Sequence, residues 1–196
     1  MQTAMRTAMR SGTIIGLGSA VAAVALWACA RWLGLGSIAF AWFIVWIPMV
    51  VLGSVSHFVT IRLPAPWHAL RAWERDGSLY ERLGVRIAKR LLRRGPFAKF
   101  NPRLHLPRTL DDAAIARLEA HMCEAEASHA ILLLATLGVA MHAAVRGWWW
   151  AAAATFVFDL LMNGYPVMLQ RYNRALLHRR FRPLAPAPTS RDNTAS

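Results

Sequence analysis

The sequence predicts an all-α integral membrane protein, with about four transmembrane helices and an amphipathic interfacial helical segment between the second and the third. Three observations carry that expectation. The 196-residue chain is 56% hydrophobic and 17% charged, yet it holds 23 Lys/Arg against 10 Asp/Glu, a formal +13. Its apolar and basic residues lie in separate blocks, and the longer apolar blocks reach the ~20 residues that a helix needs to cross a bilayer core. The basic blocks alternate in density from one connection to the next. Other classes are excluded by composition. So hydrophobic a chain cannot be intrinsically disordered. Nucleic-acid binders of this charge are seldom so apolar or so rich in Trp, of which there are nine. Two cysteines, Cys29 and Cys123, supply neither a disulfide framework nor a zinc-ligand spacing.

The first span is the uncharged run 11–30, and the second lies within the uncharged run 32–61. Arg6 and Arg10 followed by Ala28-Cys29-Ala30 imitate a secretory signal. A second apolar block follows at once, so an uncleaved hairpin over residues 1–61 is the expected form. The third span, 130–145, is short and borrows a turn from the helix before it; the fourth covers 147–170, and residues 129–177 make a second hairpin. Residues 178–196 read as a disordered, basic, Pro-rich tail. The termini and the segment 62–128 carry 21 of the 23 basic residues. Both termini and that segment are therefore expected on the cytoplasmic side of a bacterial-type inner (cell) membrane, in a multi-pass arrangement. Trp32 and the run Trp148-Trp149-Trp150 fall at the opposite interface, as aromatic anchors do.

Within 62–128, Pro64 and Pro66 close the exit from the second span. Leu83, Val85, Ile87, Leu91 and Leu92 are interleaved with Arg82, Arg86, Lys89, Arg90, Arg93 and Arg94, an apolar stripe with basic flanks that fits a helix lying in the membrane surface. Gly95-Pro96 ends it, Phe97 and Phe100 follow, and residues 101–108 form a loop. A new helix starts at Thr109-Leu110-Asp111-Asp112, with a capping residue and an acidic first turn.

Polar residues at membrane depth mark the candidate site. Glu126 and His129 are i,i+3 neighbours where this helix enters the bilayer. Asp159, Asn163, Pro166, Gln170 and Arg174 follow one another at three- and four-residue spacing, a stripe on the fourth span. Such a stripe either glues the bundle through hydrogen bonds or serves chemistry. For Asp159 the candidate partners are His57 and His129. No metal site is expected: Glu126-x-x-His129 lacks the second copy that a di-iron centre requires. Ser128 has no Gly-x-Ser-x-Gly elbow, and there is no Gly-rich phosphate loop.

Four stretches resemble the glycosyl-4,4'-diaponeurosporenoate acyltransferase family over roughly residues 60–177. They are Arg62-Leu63-Pro64; Glu74-Arg75-Asp76-Gly77 leading to Tyr80-Glu81-Arg82-Leu83-Gly84-Val85-Arg86 and Lys89; Glu124-Ala125-Glu126-Ala127-Ser128-His129; and Asn163, Pro166 and Gln170-Arg171-Tyr172-Asn173-Arg174. The last is the most specific. Two positions depart from the family pattern, with Ala88 and Ala130 standing where it has Trp. The resemblance implies a membrane enzyme that esterifies the sugar of a carotenoid glycoside, or a related glycolipid, with a fatty acyl chain. Acyl-CoA or another activated acyl donor is then a co-substrate, and no cofactor is expected. Membrane lipids and a lipid-linked sugar or carotenoid glycoside are the expected partners, and nucleic acid is not. Such chemistry needs a base for the hydroxyl and a donor for the developing oxyanion. His129 is the expected base, Glu126 the group that orients or charges it, and Asn163 the oxyanion or acceptor donor. Arg86, Lys89, Arg171 and Arg174 are expected to hold donor phosphates, and Gln170, Tyr172 and Asn173 complete the expected substrate-binding set. The alternative is a non-enzymatic membrane scaffold or lipid-binding subunit of an envelope-lipid or pigment pathway.

Overall fold

The computed structural model describes residues 2–94 and 111–181, apart from the side chains of 2–8, 88 and 91–94. The expectations for Gly95-Pro96, Phe97, Phe100, the loop 101–108 and the tail beyond 181 lie outside the described residues. All regular structure among those residues is helical. Helix α1 spans Gln2–Leu33 and α2 spans Ile38–Val55, where Ser37 caps the start by accepting from the Phe40 N–H at 3.0 Å. The layer that follows comprises α3 (Ala65–His68), a 3₁₀ turn (Ala72–Glu74), α4 (Ser78–Arg82) and α5 (Val85–Arg94). The C-terminal part is α6 (Asp112–Val145), α7 (Trp149–Asp159), a π turn (Leu160–Gly164) and α8 (Tyr165–Phe181).

Four stretches are long and apolar enough to cross a membrane: Met9–Leu33, Ile38–Val55, Asp112–Val145 and Trp149–Phe181. The short apolar block at 130–145 is the second half of the 34-residue α6. The boundary expected at 128/129 therefore falls inside a continuous helix. Asp111, among the expected capping residues, accepts from the Ala114 N–H at 2.5 Å. At its other end α6 closes in a Schellman motif. The Trp148 N–H reaches the Ala143 carbonyl, the Gly147 N–H reaches that of Ala144, and Gly147 takes the φ of +77° that this reversal demands. Residues 178–181, expected in the tail, form the last turn of α8, where His178 Nε2 meets Glu119 Oε1 of α6 at 2.7 Å.

Helix α2 packs between α1 and α7, and α6 packs along both α7 and α8. Apolar side chains of α1 such as Leu17, Val24 and Trp27 stay exposed, as surfaces that meet lipid are. Across one end of the bundle, the 3₁₀ turn, α4 and α5 lie on α8. The expected surface helix is there, but its stripe is divided. Val85 is fully buried against Tyr80, Leu169 and Tyr172, whereas Leu83 and Ile87 face outward.

The stripe expected on the fourth span is interrupted. Its spacing assumes an unbroken α-helix, but the Tyr165 N–H bonds back to the Leu160 carbonyl in a wide turn. Pro166, which has no N–H to give, sits directly after it in the first turn of α8. The wide turn changes the angular phase, so Asp159, Asn163 and Arg174 are buried while Pro166 and Gln170 are only half-buried.

Gly77 joins the surface layer to α8. Its φ is +73°, and a Cβ there would lie 3.1 Å from Cε2 of Tyr172. Gly77→Ala should cost about 1–2 kcal/mol from the left-handed backbone alone. The control is Gly53→Ala, inside α2 with open space around it. That change should be neutral or stabilising by about 0.5–1 kcal/mol. Thermal unfolding of the purified variants in detergent checks both; equal midpoints would contradict the role given to Gly77.

Candidate active site

Two polar networks lie inside the bundle, and they use different residues of the expected site. The first centres on Glu126, which is fully buried. Glu126 Oε1 accepts from Arg171 Nη1 at 2.6 Å, Oε2 accepts from Arg174 Nη1 at 2.5 Å, and His68 Nδ1 lies 3.6 Å away. Arg171 also grips Glu74 through a two-pronged contact, Nε to Oε1 at 2.6 Å and Nη2 to Oε2 at 2.7 Å. Its remaining N–H groups go to the carbonyls of Trp67 (2.9 Å) and Ala69 (3.2 Å). All the guanidinium donors of Arg171 are thereby used within the protein. Arg174, 3% exposed, donates its other Nη to the His68 carbonyl.

Glu74 is equally saturated. Its oxygens accept from the Arg71 N–H at 2.7 Å, from the Tyr80 hydroxyl and from both arms of the Arg171 fork. Burial pushes this carboxyl up, but the bonds from Arg171, Tyr80 and the Arg71 backbone outweigh it and hold Glu74 at about 2, against an ordinary 4.5. Burial and the Glu74 carboxylate push the Tyr80 hydroxyl upward, which keeps it a donor. Two carboxylates and two guanidiniums thus meet in near-complete burial with balanced charge.

These contacts give three groups of the expected site residues other partners. Glu126 does not pair with His129. The two share a helix, but two arginines contributed by α8 claim both carboxylate oxygens. Arg171 and Arg174 do not present free guanidiniums to a donor phosphate, because buried carboxylates and carbonyls already occupy them. Lys89 and Asn173 meet each other, Nζ to Oδ1 at 2.6 Å, with Lys89 5.4 Å from the centre of the Tyr172 ring. The Tyr172 hydroxyl donates to Glu81 Oε1 at 2.9 Å, and Arg86 donates to Glu81 Oε2 at 3.3 Å. The run from Arg171 to Arg174 therefore clamps the surface layer to α8 from two sides. Gln170 belongs to neither network. Glu74, Tyr80 and Glu81 carry no role that the sequence alone indicates.

The second network is smaller and deeper. His129 Nδ1 lies 3.0 Å from Asn163 Oδ1, and Asn163 Nδ2 donates to Asp159 Oδ1 at 2.8 Å. Asn163 is fully buried, Asp159 is 2% exposed and His129 is half-buried. Of the two partners expected for Asp159, His129 is reached through the amide, while His57 is exposed past the end of α2. Asn163 was expected as an oxyanion donor, but it already gives an N–H to Asp159 and turns its carbonyl to His129. Counting the helix rise from Trp149, Asp159 lies ~15 Å and Asn163 ~21 Å into the span; His129 lies ~24 Å from Val145. Beyond them, at the end covered by the surface layer, a groove is lined by Arg75, Asp76, Ser78, Glu81 and Arg179. Of the two positions that lack the family's Trp, Ala130 is buried beside His129; the side chain of residue 88 lies outside the described set. Among the described residues no cluster of His, Cys, Asp and Glu has the makings of a metal site.

Fold and site together define an all-helical protein with membrane-spanning potential and a histidine–amide–carboxylate relay inside its bundle. A family model for glycosyl-4,4'-diaponeurosporenoate acyltransferase matches residues 64–182, and the chain belongs to that family of acyltransferases, which act in carotenoid glycoside biosynthesis. Comparison with curated proteins and with solved structures gives no significant match.

Removing the Glu126 charge leaves the buried Arg174 without a carboxylate and Arg171 with Glu74 as its only one. Glu126→Gln should destabilise the protein by about 3–5 kcal/mol. Glu124→Gln, two residues away and 4.0 Å from the largely exposed Arg62, should change stability by less than about 1 kcal/mol. Chemical or thermal unfolding in detergent distinguishes the two outcomes. Glu74 also predicts a pH dependence. Its folded value is depressed, so its contribution is complete above about 4.5 and is lost as pH falls through about 2. The stability difference between wild type and Glu74→Gln should therefore shrink across that window. A difference unchanged from pH 6 to pH 2 would contradict the assignment.

Proposed function

We propose that the protein transfers a fatty acyl group from an activated donor such as acyl-CoA to a sugar hydroxyl of a membrane-held acceptor, a carotenoid glycoside or a related glycolipid. His129 acts as the base. The observation that carries this reading is a half-buried histidine held by a fully buried amide within an apolar bundle, in a chain that belongs to an acyltransferase family. His129 Nε2 takes the proton as the hydroxyl oxygen attacks the acyl carbonyl carbon. The tetrahedral intermediate then collapses, and the same proton passes to the leaving thiolate. Transfer of this kind needs no cofactor.

The basic residues favour one orientation. With both termini and the layer 62–94 in the cytoplasm, the positive-inside bias is satisfied. His129 then lies ~24 Å along its helix from the outer interface, within the inner leaflet of a ~30 Å core. A lipid-anchored sugar enters from the leaflet, and a soluble donor enters from the cytoplasm. Since Arg171 and Arg174 are committed to carboxylates, the donor's phosphates meet the exposed cations nearby instead: Arg75 of the layer and Arg179 of α8 at the groove, with Arg86, which bonds the groove residue Glu81. This reading favours an inner cell membrane.

His129→Gln should lower kcat by about 10²–10⁴-fold. Ser128→Ala alters a hydroxyl bonded to the Glu124 carbonyl and should leave turnover close to wild type. Transfer of radiolabelled acyl groups to glycolipid acceptors in detergent measures both. Wild-type turnover in the histidine variant would remove His129 from the reaction.

A further inference from the structure

The reaction described above uses the imidazole but leaves the deepest acid without a task. Asp159 is the last residue of α7 and is 2% exposed, and Thr155 one turn before it is equally buried. Its Oδ1 accepts from Asn163 Nδ2 at 2.8 Å, and Asn163 Oδ1 lies 3.0 Å from His129 Nδ1. An amide side chain has donors at one end and acceptors at the other, so whatever fixes one end fixes the other. A carboxylate only accepts, and it therefore claims the NH2 end of Asn163. The carbonyl end, left for His129, has no hydrogen to give. The hydrogen in that contact must belong to Nδ1, which leaves the lone pair of the neutral ring on Nε2.

We infer that Asp159 is a positioning residue: acting through Asn163, it holds His129 in the Nδ1–H tautomer and so makes Nε2 the basic nitrogen. The inference deepens the reading of His129 as the base and rests on it. The relay is placed so that bulk water does not compete for it. Asn163 has no exposed surface, and the π turn in which it sits carries it across to α6. During transfer the acceptor's proton moves to Nε2 and then to the leaving thiolate, while Nδ1–H remains on the Asn163 carbonyl throughout. Nothing is consumed at Asp159.

Without a buried acid to orient it, Asn163 is free to turn either end to the ring. Asp159→Asn is close to isosteric, but the new amide either donates or accepts, so both tautomers become available. Loss of a partner at this remove should lower kcat by about 10–100-fold with KM little changed. The decisive readout is independent of turnover. Protein labelled with ¹⁵N-histidine, purified in detergent at a pH where His129 is neutral, reports the protonated nitrogen from its ¹⁵N shifts. The His129→Gln spectrum identifies the signal by subtraction. Wild type should give the Nδ1–H form, and Asp159→Asn should give a mixture. A wild-type Nε2–H form, or a tautomer unchanged in Asp159→Asn, would overturn the inference; if that variant does not fold, the wild-type spectrum alone decides. If His129→Gln keeps full turnover while Asp159→Asn still shifts the tautomer, the base assignment fails and the positioning role stands.

Discussion

Glu126 sits without solvent in the middle of a 34-residue helix, and everything nearby is arranged to satisfy it. Buried charge is costly unless matched, and a carboxylate stripped of water requires cations with saturated hydrogen bonding. Arg171 and Arg174 supply the cations; the surplus donors of Arg171 go to Glu74 and the carbonyls of Trp67 and Ala69, and Arg174 bonds the His68 carbonyl while its Nε stays unpartnered. The acid in α6 thereby dictates where α8 lies and how the surface segment folds back over both. Such an arrangement contributes less to net stability than its short contacts imply, because desolvation offsets much of the attraction. What it supplies is specificity. Few other alignments of α6 and α8 would leave four charges balanced, and that alignment sets His129 opposite Asn163.

The legible and illegible parts of this protein divide along physical lines. The spans could be read because a helix crossing a bilayer imposes a length and a composition on contiguous residues. The cap at Asp111 and the basic surface helix were legible for the same reason, being local patterns. The tie between Asp159 and His129 was half legible. A buried acid calls for a partner and few were on offer, but the amide between them was read as a donor to substrate. For Glu126, i,i+3 proximity to His129 suggests a local pair, whereas its oxygens bond guanidiniums 45 and 48 residues away. A sharper signal was present: an acid flanked by Ala125 and Ala127, in a helix about to enter the membrane, demands a cation, and Arg171 and Arg174 lie at the matching end of the neighbouring span. Glu74 offered no such signal, since an acid among polar residues looks solvated.

Division of labour between the two networks also clarifies the basic residues. Among the described residues, Arg75, Arg82, Arg86, Lys89, Arg171, Arg174 and Arg179 gather where the surface layer lies on α8. Those in the most family-specific run act inward, as structural ties, and the cations open to a soluble partner are the less conspicuous ones around the groove. The histidine relay carries no net excess of basic charge. It lies between α6 and the end of α7, with Asp159 and Asn163 buried, where a single acid and a single amide act with little competition from water.

The π turn between α7 and α8 gives the last span two angular registers rather than one. Its first half aims the acid and amide toward α6; its second half aims the clamp toward the surface layer. In an unbroken helix, an insertion or deletion between the two sets of side chains would swing one relative to the other, by about 100° per residue. With a wide turn between them, a sequence change can be absorbed by shifting the bulge along the chain. The orientation of the acid and amide can thus change while the attachment to the surface layer stays the same.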